Sequence, residues 1–121
     1  MTQPTPDHPV TIAPNPKRVR VIFNGRVIAD TRSALTLSEA RLPAVQYLPA
    51  QDVDMSSLVR SAQRSHCPYK GEASYYSVRV DGQEATDAVW SYEAPNQAVA
   101  QIAGYLAFYP DRVERIEELA D

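Results

Sequence analysis

Arg18-Val-Arg-Val-Ile-Phe-Asn-Gly-Arg-Val-Ile-Ala29 is the stretch that decides the fold class. Asn24-Gly25 stands between two apolar runs. A two-residue type I′ turn needs φ > 0 at both central positions, and Asn-Gly meets that need at little steric cost. A two-residue loop sets Phe23 opposite Arg26 and Val21 opposite Ile28. One face of the hairpin then carries Val19, Val21, Phe23 and Ile28, the predicted core face. The same device recurs at Ser74–Val80, Asp81-Gly82 and Gln83–Tyr92. There it sets Val80 opposite Gln83 and Arg79 opposite Glu84, an opposite-charge cross-strand pair.

Working outward, residues 1–17 hold five of the ten prolines, which bars a helix there. Val10 and Ile12 flank polar Thr11, as in a short edge strand or an extended arm packed on the body. Ala34–Glu39 alternates and reads as a further strand. Pro43 and Pro49 bracket a short extended segment at residues 44–48. Asp52–Arg60 is expected to make one or two helical turns, with Asp54 as cap and Leu58 and Val59 packing inward. Asn96 is a suitable N-cap for one short helix near residues 97–103, with Gly104 as its exit. Tyr105–Tyr109 reads as a strand, with a longer helix through Phe108 as the alternative. Val113, Ile116 and Leu119 are spaced for a helix in an acidic tail. The expectation is a mainly β domain (α+β at most), built on antiparallel hairpins. It is expected to span residues 8–116, with residues 1–7 and 117–121 as flexible ends.

The 121 residues suit a single domain. A formal net charge of −3 argues against a dedicated nucleic-acid binder, although Lys17, Arg18, Arg20 and Arg26 could hold one anion. Cys67 is the one cysteine, so no intrachain disulfide can form. Together with His8 and His66 it makes no CxxC or HxxxH spacing, so no metal site and no cofactor are expected. No run approaches the ~20 apolar residues of a membrane span, and no apolar leader is visible. A cytoplasmic protein is the corresponding expectation.

Two groups of residues could carry chemistry. Of the ten aromatic residues counting Trp, Tyr and Phe, eight fall from Tyr69 onward. Trp90 and Tyr92, two apart on a strand, point to one face. They suit an aromatic core layer, or the wall of a pocket with hydroxyl handles. The second group is His66-Cys67-Pro68-Tyr69-Lys70-Gly71. Gly71 permits a turn that brings Lys70 back toward the strand, and a cation near Cys67 would favour its thiolate. A buried, inert cysteine is the alternative. Asp52-Val53-Asp54 has the look of a metal-binding carboxylate pair of nucleotidyltransferases, but no Gly-Ser turn precedes it, and a capped loop explains it. There is no GxGxxG, GxxxxGK[ST] or GxSxG.

Five blocks together resemble the bacterial domain of unknown function 427 family: HPVTIAPNPKRVRVIFNGRVIADT from His8, YLPAQDVDM from Tyr47, CPYKGEASYYSV from Cys67, VWSYEAP from Val89 and GYLAFYPDRVE from Gly104. The resemblance implies a compact, tent-like set of antiparallel strands with little helix. It also implies that the arm from His8 to Pro16 belongs to the domain. It brings no activity, substrate or cofactor. It does emphasise Cys67–Gly71 and Trp90, Ser91, Tyr92 and Pro95.

Three functions follow as expectations. The first is a small-molecule-binding domain, in which Tyr47, Tyr69, Trp90 and Tyr92 wall a pocket while Lys70 and Arg18 hold an anionic group. The second is a small enzyme with Cys67 as nucleophile or Lys70 as acid or base. The third is a structural or interaction module, and exposed strand edges could pair two copies as a homodimer.

Overall fold

The computed structural model describes residues 8–120. The Asn24-Gly25 turn joins β2 (Arg18–Phe23) to β3 (Arg26–Thr31), with φ of 50° and 76° at the two turn residues. Asp81-Gly82 joins β7 (Gly71–Val80) to β8 (Gln83–Ser91) in the same way, at 49° and 81°. The second hairpin has the expected register: Val80 faces Gln83, and Arg79 faces Glu84 and bonds it at 2.7 Å. In the first hairpin Phe23 does face Arg26, but a bulge between Val21 and Ile22 sets Val21 opposite Ala29 instead of Ile28. The extra residue turns both Ile28 and Ala29 inward and leaves Val27 exposed.

The remaining strands among the described residues are β1 (Val10–Pro14), β4 (Leu35–Glu39), β5 (Val45–Tyr47), β6 (Leu58–Cys67), β9 (Leu106–Phe108) and β10 (Arg115–Leu119). All pairings are antiparallel, in three sheets ordered β1-β4-β5, β10-β2-β3 and β6-β7-β8-β9. The fold is mainly β, and the arm at residues 10–14 is an integral edge strand.

The four-stranded sheet carries apolar side chains on both faces because adjacent residues point to opposite sides. Tyr76, Val78, Val80, Val89 and Phe108 join a core with Val19, Val21 and Ile28 of the β10-β2-β3 sheet. Ala73, Tyr75, Trp90 and Ala107 face the other way. They meet Leu37 of β4, Tyr47 of β5, and Ile102. Full burial of each large aliphatic side chain stabilises the fold by roughly 1.5–3 kcal/mol. Reciprocal backbone bonds between Leu48 and Leu106, both 2.8 Å, tie β5 to β9.

The expected helices and ends fare differently. The short helix expected near residues 97–103 is present as the 3-10 helix Gln97–Ile102, kinked at Val99 (φ −125°, ψ 27°). Asn96 makes no capping bond there, because its side chain donates to the Pro68 carbonyl instead. Asp54 does cap, accepting from the Ser56 amide, but the turn it caps is only Met55–Ser57. Val59 then lies exposed on β6, a ten-residue strand that the helical reading missed. The helical spacing of Val113, Ile116 and Leu119 gives way to β10, which pairs with β2 through Leu119. Glu117–Leu119 therefore belong to a sheet rather than to a flexible end; residues 1–7 lie outside the described residues. Tyr105–Tyr109 contains strand β9, so the longer-helix alternative fails. Among the described residues no helix is long and apolar enough to cross a membrane.

Candidate functional site

Strand β4 ends on Leu35, Leu37 and Glu39, which share one face by the two-residue period. Glu39 is thereby carried into the layer that Leu37 helps to fill, and its side chain is only 9% exposed. After it, Ala40 takes a positive φ of 47°, and its amide donates to the Pro9 carbonyl at 2.8 Å. This bond sets His8 beside Glu39. The His8 Nε2–H donates to Glu39 Oε2 at 2.8 Å, and the ring stacks on Tyr69 at 3.9 Å and 10°.

Lys70 reaches the same carboxylate from the β6–β7 turn. Gly71 makes that turn possible at φ 111°, a value that side chains with a Cβ rarely adopt. The turn is held by Asn96, whose amide donates to the Lys70 carbonyl at 2.9 Å. The Lys70 ammonium donates to Glu39 Oε1 and lies 5.9 Å from the centre of the Tyr92 ring. Burial raises the Glu39 pKa, but hydrogen bonds from Lys70 and His8 outweigh it, and the carboxyl is held below its ordinary range.

Above this pair lies a cleft of about 210 Å³. Leu37, Leu42, Pro43 and Val45 give it an aliphatic lining, and Tyr47, Tyr75, Trp90, Tyr92 and Tyr109 an aromatic one. Leu42 is exposed at the rim, so solvent reaches the cleft. Trp90 Nε1–H donates to the Tyr47 hydroxyl at 3.1 Å, and the two rings meet edge to face at 88°. Accepting this bond leaves the Tyr47 proton for another acceptor. Burial pushes the Tyr47 and Tyr92 hydroxyls far above their ordinary pKa, so both remain neutral. Tyr109 is pushed up to about 12 by burial and by its bond with Tyr75. Glu39 and Lys70 are the two lining residues that bear a formal charge.

The sequence-predicted residues divide accordingly. Lys70, Tyr47, Trp90 and Tyr92 converge on one cleft. Tyr69 stands outside its lining, stacked on His8. Cys67 is a half-buried free thiol packed against the same apolar cluster, but it does not line the cleft. His66, its neighbour, is turned to the exposed Glu72, bonded at 2.6 Å, and offers Cys67 no base. Arg18 is elsewhere altogether. It makes a two-bond pair with Asp30, at 2.7 and 2.5 Å, in a second, polar cleft with Thr31, Arg32 and Asp52. Asp52 accepts from Thr31 at 2.7 Å while Asp54 caps its own turn, so the two carboxylates do separate structural work. Among the described residues no three His, Cys, Asp or Glu side chains are grouped to hold a metal ion.

Sequence reasoning missed Glu39, Tyr75, Tyr109 and His8. For Glu39 a signal existed: a carboxylate at the inward register of an alternating strand.

No curated protein matches this chain. The family described as domain of unknown function (DUF427) matches residues 11–119, which takes in every strand but the first residue of β1. The chain belongs to the DUF427 family.

Proposed function

We propose that this domain binds a compact small molecule in the Trp90 cleft. The observation that carries the reading is the convergence of Lys70, Tyr47, Trp90 and Tyr92, from three separate segments, on one solvent-reached hollow. Sites for small molecules combine mostly apolar and aromatic walls with a few fixed polar groups. At about 210 Å³ the cleft is smaller than the ~300–1,000 Å³ of drug-sized sites, which favours an occupant of about one ring. The rings of Trp90, Tyr75 and Tyr109 supply flat contact area, while Lys70 and the Tyr47 hydroxyl supply donors. An anion held by Arg18 has no part in this reading, since Arg18 stands in the other cleft.

Trp90 is the only tryptophan, so its fluorescence reports the cleft directly. Titration with a panel of compact planar aromatic compounds is expected to give a saturable change in emission for at least one of them. Val45→Phe, which adds a ring to the cleft lining, is expected to abolish that change. Emission that stays constant across the panel, or a response that survives Val45→Phe, would overturn the reading.

A further inference from the structure

We infer that Glu39 is a specificity-determining residue: it cancels the charge of Lys70, so that the cleft selects an uncharged ligand with a hydrogen-bond acceptor. The inference rests on the binding reading above and names the ligand class. Its first support is the charge inventory. Glu39 and Lys70 are the only lining residues of opposite formal charge, they bond each other directly, and their side chains are 9% and 12% exposed. His8 stands outside the cleft lining, and the formal charges of the two residues that do line it sum to zero. An anionic ligand would have to shed its hydration for a cation that is already neutralised. A cationic ligand would face the same loss at a carboxylate whose two oxygens are both engaged, by Lys70 and His8.

The second support is the balance of donors and acceptors. An ammonium has three protons and Glu39 takes one of the three, leaving donors toward the cleft. The Tyr47 hydroxyl accepts from Trp90 and can donate onward. These groups ask for a carbonyl or similar acceptor on a flat, uncharged body. A ligand of that kind keeps the Lys70–Glu39 pair intact and loses little hydration on entry.

Benzamide, benzoate and benzamidine share a shape and carry zero, negative and positive charge, so together they isolate the effect. Trp90 emission is titrated with each at mildly alkaline pH. Wild type is expected to favour benzamide over both ions by about tenfold or more. Glu39→Gln leaves Lys70 uncompensated and is expected to shift the preference to benzoate. Lys70→Met leaves Glu39 uncompensated and is expected to shift it to benzamidine. Circular dichroism establishes that each variant is folded; where Lys70→Met does not fold, the Glu39→Gln arm decides, and the wild-type order decides without either variant. Benzoate or benzamidine binding wild type as well as benzamide does, or a ratio unmoved by Glu39→Gln, would overturn the charge-cancelling role and leave the binding reading standing. No response to any of the three would overturn the inference, and silence across the wider panel of planar aromatics would remove the binding reading as well.

Discussion

Lys70→Met is expected to lower the unfolding free energy by about 3 kcal/mol near pH 7, the low end of the range for breaking a buried ion pair from one side. The low end applies because His8 still donates to Glu39 after the change. The loss comes from the carboxylate left behind in a site where it is 9% exposed. Replacing both partners by Met is therefore expected to cost less than replacing Lys70 alone. The pH dependence carries a definite sign. In wild type the folded Glu39 pKa lies below its unfolded value. Its stabilising contribution is thus present above the ordinary carboxylate range and is lost as pH falls through the folded value. Without Lys70 the opposing effect of burial has less to overcome, and less of that contribution exists to lose. The deficit of Lys70→Met is therefore expected to shrink as pH drops below about 4.5. Urea midpoints of the two proteins, measured near neutrality and in mild acid, check this. A deficit independent of pH would mean that the substitution acts through packing alone.

Leu37→Ala is expected to destabilise by about 2–5 kcal/mol, the usual cost of a large aliphatic truncation in a packed interior. Leu37 is 1% exposed and sits between the apolar cluster under the β6-β7-β8-β9 sheet and the cleft itself. The space it vacates adjoins the cleft, so the site can hold a larger ring once the residue is shortened. Chemical denaturation measures the first effect. A ligand one methyl larger than benzamide, gaining affinity relative to it, would report the second.

Legibility in the sequence followed local chemistry. Asn24-Gly25 and Asp81-Gly82 announce their hairpins because a positive φ at two successive residues admits few other dipeptides. Leu35 and Leu37 announce β4 through their alternation. Strand β6 gave no such signal. It is an edge strand whose pairing with β7 is interrupted between Arg60 and Arg64, and most of its side chains face water, so no apolar period survives. The tail misled for a related reason: Val113, Ile116 and Leu119 recur every three residues, yet an edge pairing with β2 and the Arg20–Glu117 ion pair at 2.8 Å hold it extended. At the site, Trp90 and Tyr92 were readable because they share one strand. The partnership of Lys70 with Glu39 was not, since 31 residues separate them and only the stacking of sheets brings them together. Arg18 looked like an anion ligand by charge alone. Asp30, its cross-hairpin neighbour, engages it instead.

The side-chain indole resonance of Trp90 offers the most direct measurement, because a single tryptophan gives a single unambiguous signal in a proton–nitrogen correlation spectrum. Addition of benzamide is predicted to move that signal saturably, together with backbone signals of Val45, Tyr47, Lys70 and Tyr92, and to leave Arg18 and Asp30 in place. An indole signal that stays fixed while shifts scatter over the surface, or gather around Arg18, would contradict a ligand site at Trp90.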